Sequence, residues 1–128
     1  MTRERSAGQS LVEVAFVLPV LLIVLLGIFD FGRAIYAYNA VSNAAREAAR
    51  VAIVDQNPVT VVAEGKRAAL GLDPAAVNVT FIPPTCTKIG CPITVTVDHQ
   101  WQAITPLFPP IALQSTTEIP IERVYVSP

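Results

Sequence analysis

Leu11–Phe29 reads LVEVAFVLPVLLIVLLGIF, nineteen residues whose only charge is Glu13. At 1.5 Å per residue a helix of that length spans roughly 28 Å, close to the ~30 Å hydrocarbon core of a bilayer. The stretch reads as a retained single-pass membrane anchor. A cleaved secretory signal is the competing reading, but its apolar region would be about 7–15 residues long and would end at small residues. The one candidate end, Gly32-Arg33-Ala34, follows Asp30 and lies inside sequence that keeps reading as helix. Pro19 removes one backbone donor and is expected to kink or loosen the preceding turn. Gly27 and Gly32 are not at G-x-x-x-G spacing, so no helix–helix seam is read from them.

Outward from the anchor toward the C-terminus, helical character persists. Asp30–Ile53 contains no proline and eight alanines, the residue of highest helix propensity. Val41, Ala44, Ala48 and Ala52 form a small apolar stripe, expected to pack on this chain's own sheet or on a neighbouring helix. Glu47 and Arg50 can pair, and the other polar positions read as a solvated face. A helix from about Gln9 to Ile53 would be roughly 65 Å long, an elongated stalk. Asn57 is a good N-cap and Pro58 suits a first helical position, so a second helix is expected over about 58–70. Val62, Ala63, Ala69 and Leu70 would form its apolar face; Gly65 weakens it and Gly71 can close it.

Past Asp55 the character changes, for ten of the eleven prolines lie there and β-branched residues alternate with polar ones. Val77–Ile82, Ile93–Asp98 and Thr117–Val126 read as three strands of an antiparallel sheet with one buried face. The fold class is therefore α+β, a long membrane-spanning helix packed on a small ectodomain. Some 70 residues bury little alone, so packing of that domain on the long helix is expected. Its division is a leader over 1–8, a transmembrane helix over 9–29, an extracytoplasmic continuation over 30–54 and the ectodomain over 55–128.

Composition narrows the function classes. Hydrophobic residues make up 52% and charged residues 15% of the 128, against about a quarter charged in a typical soluble domain. A net charge of −1 gives no polycationic surface for nucleic acid. Two cysteines and one histidine are too few for a structural zinc site. Cys86 and Cys91, separated by four residues, do not have redox C-x-x-C spacing; they are expected to form a disulfide across the hairpin end, which implies an oxidising compartment. His99 and Trp101 end the second strand, with a core or rim role as the default. Asn78-Val79-Thr80 matches a glycosylation sequon by pattern only. No nucleophile–base–acid set and no glycine-rich phosphate loop is readable, so neither catalysis nor a cofactor is expected.

Outward toward the N-terminus lies Met1–Gly8, MTRERSAG, a short polar leader with Arg3 and Arg5 against Glu4. Then come Gln9-Ser10-Leu11-Val12-Glu13 and the apolar run. A basic leader, a glycine, four residues, a glutamate and a hydrophobic helix, in that order, resemble the leader of type IV pilins and pseudopilins. G-Q-S-L-V-E, then L-P-V-L-L, then G-I-F-D-F-G-R-A-I-Y-A-Y-N-A-V-S-N-A-A-R-E-A-A-R is similar to the TadE-like family, minor pseudopilins of the tight-adherence (Tad/Flp) pilus system. The close resemblance covers Gly8–Val51, and the rest agrees in layout only. Val14 departs from the pattern, since such segments often place an aromatic directly after the glutamate; Phe16 is the nearest here.

The resemblance implies that a membrane prepilin peptidase cuts after Gly8 and leaves Gln9 as the new N-terminus. It makes Glu13 the pilin-type glutamate, expected to act in assembly. A carboxylate near the bilayer centre costs roughly 2.5 kcal/mol or more, and less near the edge. Glu13 is thus either an interfacial acid reaching the headgroups or the partner of a positive charge on another chain. Positive residues flank the span almost evenly, so orientation is not set by charge. The resemblance places the N-terminus in the cytoplasm and the C-terminal domain outside the cell membrane. Implied partners are the peptidase, other pilin or pseudopilin subunits and the Tad inner-membrane assembly platform. Homo- or hetero-oligomers would form through the N-terminal helices. The expected function is a structural assembly subunit contributing to pilus biogenesis and adhesion. A membrane-anchored binding module outside any filament is the alternative.

Overall fold

The computed structural model describes residues 3–82, 88–106 and 108–124, with side chains from residue 8 onward. One helix, α1 (Arg3–Ala52), runs unbroken through Pro19. At 1.5 Å per residue its 50 residues extend about 75 Å. The short helix α2 (Pro58–Ala68) follows, then β1 (Val77–Ile82), β2 (Pro92–Trp101) and β3 (Ile111–Pro120). The strands form an antiparallel sheet of order β1-β2-β3. Asn57 caps α2 as its sequence suggests, its Oδ1 accepting from the Val59 amide at 3.0 Å while Pro58 occupies the first turn. Gly71, at φ +77°, turns the chain after α2, a conformation open to glycine without a Cβ penalty.

The alanine stripe of α1 packs inward. Val41, Ala44, Ala48 and Ala52 are fully buried and join Val61 of α2 with Val77, Ile93, Val95 and Val97 of the sheet in one core. Small side chains let the sheet and α2 approach the α1 backbone closely, so this stripe belongs to the chain's own domain. The buried face of β2 alternates with exposed or half-buried Thr94, Thr96 and Asp98, the period-two pattern of a one-sided sheet.

Three expectations need correction. The third strand is not Thr117–Val126 but Ile111–Pro120. Past Pro120 the Ile121 amide still donates to the Cys91 carbonyl at 2.8 Å, but the amides of Glu122 and Arg123 both turn to the Ile53 carbonyl. Backbone that would have prolonged the sheet thus satisfies an orphan carbonyl at the end of α1. Gln56 adds to this closure, its Nε2 donating to the carbonyls of Ala52 and Arg123, each at 2.9 Å. Tyr125 and Val126 lie outside the described residues.

The apolar face of α2 is Val61, Gly65 and Ala68, not Val62, Ala63, Ala69 and Leu70, although Ala69 is buried beyond the helix end. A Cβ on Gly65 would stand 3.0 Å from the Val79 methyls and 3.2 Å from the Ala48 Cβ. The glycine is a contact point among α1, α2 and β1, not merely a weak spot. Finally, Glu47 and Arg50 do not pair among the described residues. Within α2, Arg67 pairs with Glu64 at 2.6 Å.

Candidate assembly surface

Gly8, Gln9 and Glu13 lie in the first turns of α1, all exposed. Gln9 and Glu13 are four residues apart and so share one helix face, one turn from each other. Glu13 has no hydrogen-bond or ion-pair partner among the described residues. Among the described residues no ectodomain side chain covers α1 between Leu11 and Leu26, where every residue is exposed. This helix is long and apolar enough to cross a membrane.

Exposure of large apolar groups continues above the span. Val17, Leu21, Val24, Ile28, Phe31, Ile35 and Tyr38 recur at alternating spacings of four and three. That is the spacing of a helix–helix seam, and each is at least 47% exposed. Below Phe29 the pattern says little, because every face there is apolar. At Phe31, Ile35 and Tyr38 it distinguishes one face from the buried face of Ala37, Val41 and Ala44. The signal of this second stripe in the sequence is its alternating three-and-four spacing, beside the more conspicuous run of alanines.

The ectodomain is tied to the helix at the upper end of the apolar stretch by Asp30, only 2% exposed. Its Oδ1 accepts the Ile104 amide at 2.8 Å, and its Oδ2 accepts the Thr105 amide at 3.0 Å and the Thr105 hydroxyl at 2.6 Å. Arg33 stands one turn on, 3.6 Å from Oδ1. The Thr105 hydroxyl, then the Ile104 amide, hold the carboxyl below the usual aspartate range; burial opposes them, and the Thr105 amide and Arg33 assist. Nothing in the sequence marked Asp30, because its partners lie some 75 positions away.

Beside this tie a cleft of about 490 Å³ opens, lined by Arg33, Tyr36, Gly71, His99, Gln100 and Trp101 among others. The Tyr36 hydroxyl donates to the Leu70 carbonyl at 3.2 Å, and His99 Nδ1 lies 3.0 Å from the Ala76 carbonyl. Trp101 is buried and its Nε1 finds no acceptor among the described residues. His99 thus lies at the rim and Trp101 in the interior. Among the described residues no cluster of histidine, cysteine, aspartate or glutamate could hold a metal. The expected Cys86–Cys91 pairing falls on Cys86, which is outside the described residues; Cys91 is buried at the foot of β2.

Neither the curated proteins nor the solved structures compared with this chain include a significant match. The family model described as TadE-like protein matches residues 8–50, that is 43 of 128 residues. The match begins at Gly8 and ends two residues before α1 does. Over residues 8–50, a third of its length, the chain is therefore similar to the TadE-like family.

Proposed function

We propose that the protein is a pseudopilin-like structural subunit of a Tad (Flp) pilus system, with no catalytic role of its own. A prepilin peptidase cuts it after Gly8, and it contributes to pilus biogenesis and adhesion. The supporting observation is that the family match starts at Gly8, on a helix whose apolar half is uncovered by the rest of the chain. A helix packed within its own domain has no face left for partners; this one is exposed all round from Leu11 to Leu26 among the described residues. In this reading the N-terminus is cytoplasmic, the sheet domain is extracytoplasmic, and the partners are other pilin-like subunits and the inner-membrane platform.

After cleavage Gln9 carries an α-amine, largely protonated at neutral pH. When helices stack, the amine of an incoming chain meets Glu13 of its neighbour, and each charge replaces water the other has lost. Such a pair roughly offsets its own desolvation, so its value is register more than affinity. The test compares membrane level with co-purification of pilus components after mild crosslinking in native membranes. Wild type is expected to co-purify, while Glu13→Ala reaches the membrane at the wild-type level or above and is lost from the complex. Co-assembly of Glu13→Ala at the wild-type level would make Glu13 an interfacial acid. Wild type free of every pilus component would contradict the pilus reading. The cleft beside Arg33 and His99 favours the second reading, a membrane-anchored binding module.

A further inference from the structure

The connection from β2 to β3 sits at the height where α1 leaves its apolar stretch. Asp30 is the first residue past Phe29, and it holds the amides of Ile104 and Thr105 directly. Phe108 and Ile111 share a cavity of about 160 Å³ with Gly27, Asp30, Phe31, Ala34 and Trp101. Gly27 lies three residues inside the apolar run, about 4.5 Å below Asp30 along the helix.

What this connection exposes is apolar. Ile104 is 65% exposed and Phe108 51%, and no charged residue occurs from Gln100 to Thr117. Elsewhere the ectodomain surface carries its charges, at Lys88, Asp98, Glu118 and Glu122. Three aromatic residues border this level: exposed Phe29, Phe31 and Phe108, with buried Trp101 behind Phe108 and with Tyr36 and Tyr38 about 10–14 Å beyond Phe29 along α1. Aromatic belts of this kind mark the level of lipid headgroups.

We propose that the β2–β3 connection is a membrane-seating foot, with Ile104 and Phe108 entering the outer interface of the bilayer that α1 spans. The occupant of this patch is lipid, because the patch is continuous with the exposed apolar surface of Phe29 and Phe31 on the same chain. The foot rests on the membrane-span reading. Its effect is to fix the height and rotation of the ectodomain through two attachments, α1 and the loop, instead of one.

Trp101 is the only tryptophan, so Trp101→Phe gives a silent background. In the full-length chain, in phosphatidylcholine vesicles with brominated acyl chains, single tryptophans are introduced by Leu21→Trp, Phe108→Trp and Ile89→Trp. The proposal predicts loss of fluorescence at 21 with bromine deep in the chain. At 108 it predicts greater loss with bromine near the headgroup than with deep bromine, and at 89, at the far end of the sheet, no loss. The unsubstituted protein provides a second reading, for Trp101 should also be quenched more by the shallow bromine. Quenching at 21 without quenching at 108 or at Trp101 would overturn the foot and leave the span standing, as would a position 108 that crosslinks to a second copy and escapes bromine. Equal quenching at 108 and 89 would mean an ectodomain lying flat on the bilayer, and would overturn the foot too. No quenching at any position would remove the span reading and the foot together.

Discussion

Asp30 ties the β2–β3 connection to α1 through both of its carboxylate oxygens. It is a buried carboxylate whose two oxygens are met by three donors from one short segment, with Arg33 assisting. Removing it strands two backbone amides, and unmade hydrogen bonds cost more than made ones return. Asp30→Asn keeps the shape but turns one acceptor into a donor. Amide hydrogen exchange at Ile104 and Thr105 should then accelerate by roughly ten-fold or more, the order expected for a lost charge-assisted bond. Unchanged exchange at both amides would show that the loop is held by its apolar contacts alone. The carboxyl is held below its ordinary value, so the folded state stabilises the ionised form. That contribution is complete above the unfolded aspartate pKa of about 3.9 and is lost as pH falls through the lower folded value. In wild type, protection at Ile104 and Thr105 should therefore persist to about pH 4 and fall below it; in Asp30→Asn this acid step should vanish.

At the scale of elements, Gly65 sets how closely α2 meets α1 and the sheet. Gly65→Leu places a branched side chain where even a Cβ is tight against Val79 and Ala48. It should destabilise the ectodomain by about 1–3 kcal/mol despite leucine's better helix propensity. Thermal unfolding of the detergent-solubilised chain measures this, and an unchanged midpoint would mean that α2 can move away freely. A Cys86–Cys91 bridge would close a short loop and contribute roughly 2–3 kcal/mol by the loop-entropy model. Thiol labelling without reductant, in protein from native envelope, should modify neither cysteine; modification of both would contradict the bridge.

Elements were legible in the sequence where local pattern and final environment agree. The long helix, the cap at Asn57 and the alternation in β1 and β2 all follow from propensity and period. The start of β3 was hidden because Ala112 and Gln114 are poor strand formers and Pro109-Pro110 reads as a break, whereas pairing with β2 supplies the ladder that propensity did not. The inner face of α2 is not legible in sequence, because glycine counts against a helix there and in favour of one in close packing. Asp30 was invisible for a different reason: its role exists only once residues 30 and 105 are brought together.

At the scale of the whole molecule the chain has two unlike halves. From Leu11 to Leu26 every residue of the helix is exposed; from Asp30 to Ala52 it is the backbone of a compact core. The covered half stabilises the fold and the bare half is available to membrane and partners, so changes in the two should separate cleanly. Gly8→Leu lies at the far end of the bare half, where a Cβ would meet nothing within 4 Å. It should leave ectodomain stability unchanged while blocking removal of the leader, because a bulky residue no longer fits a peptidase site shaped for glycine. The central claim is processing into an assembly subunit, and the most direct measurement is the mass of the native N-terminal peptide, with and without the prepilin peptidase. The account predicts a terminus at Gln9 when the peptidase is present and the uncut leader when it is absent; a mature wild-type protein that retains Met1–Gly8 in the presence of the peptidase would contradict it.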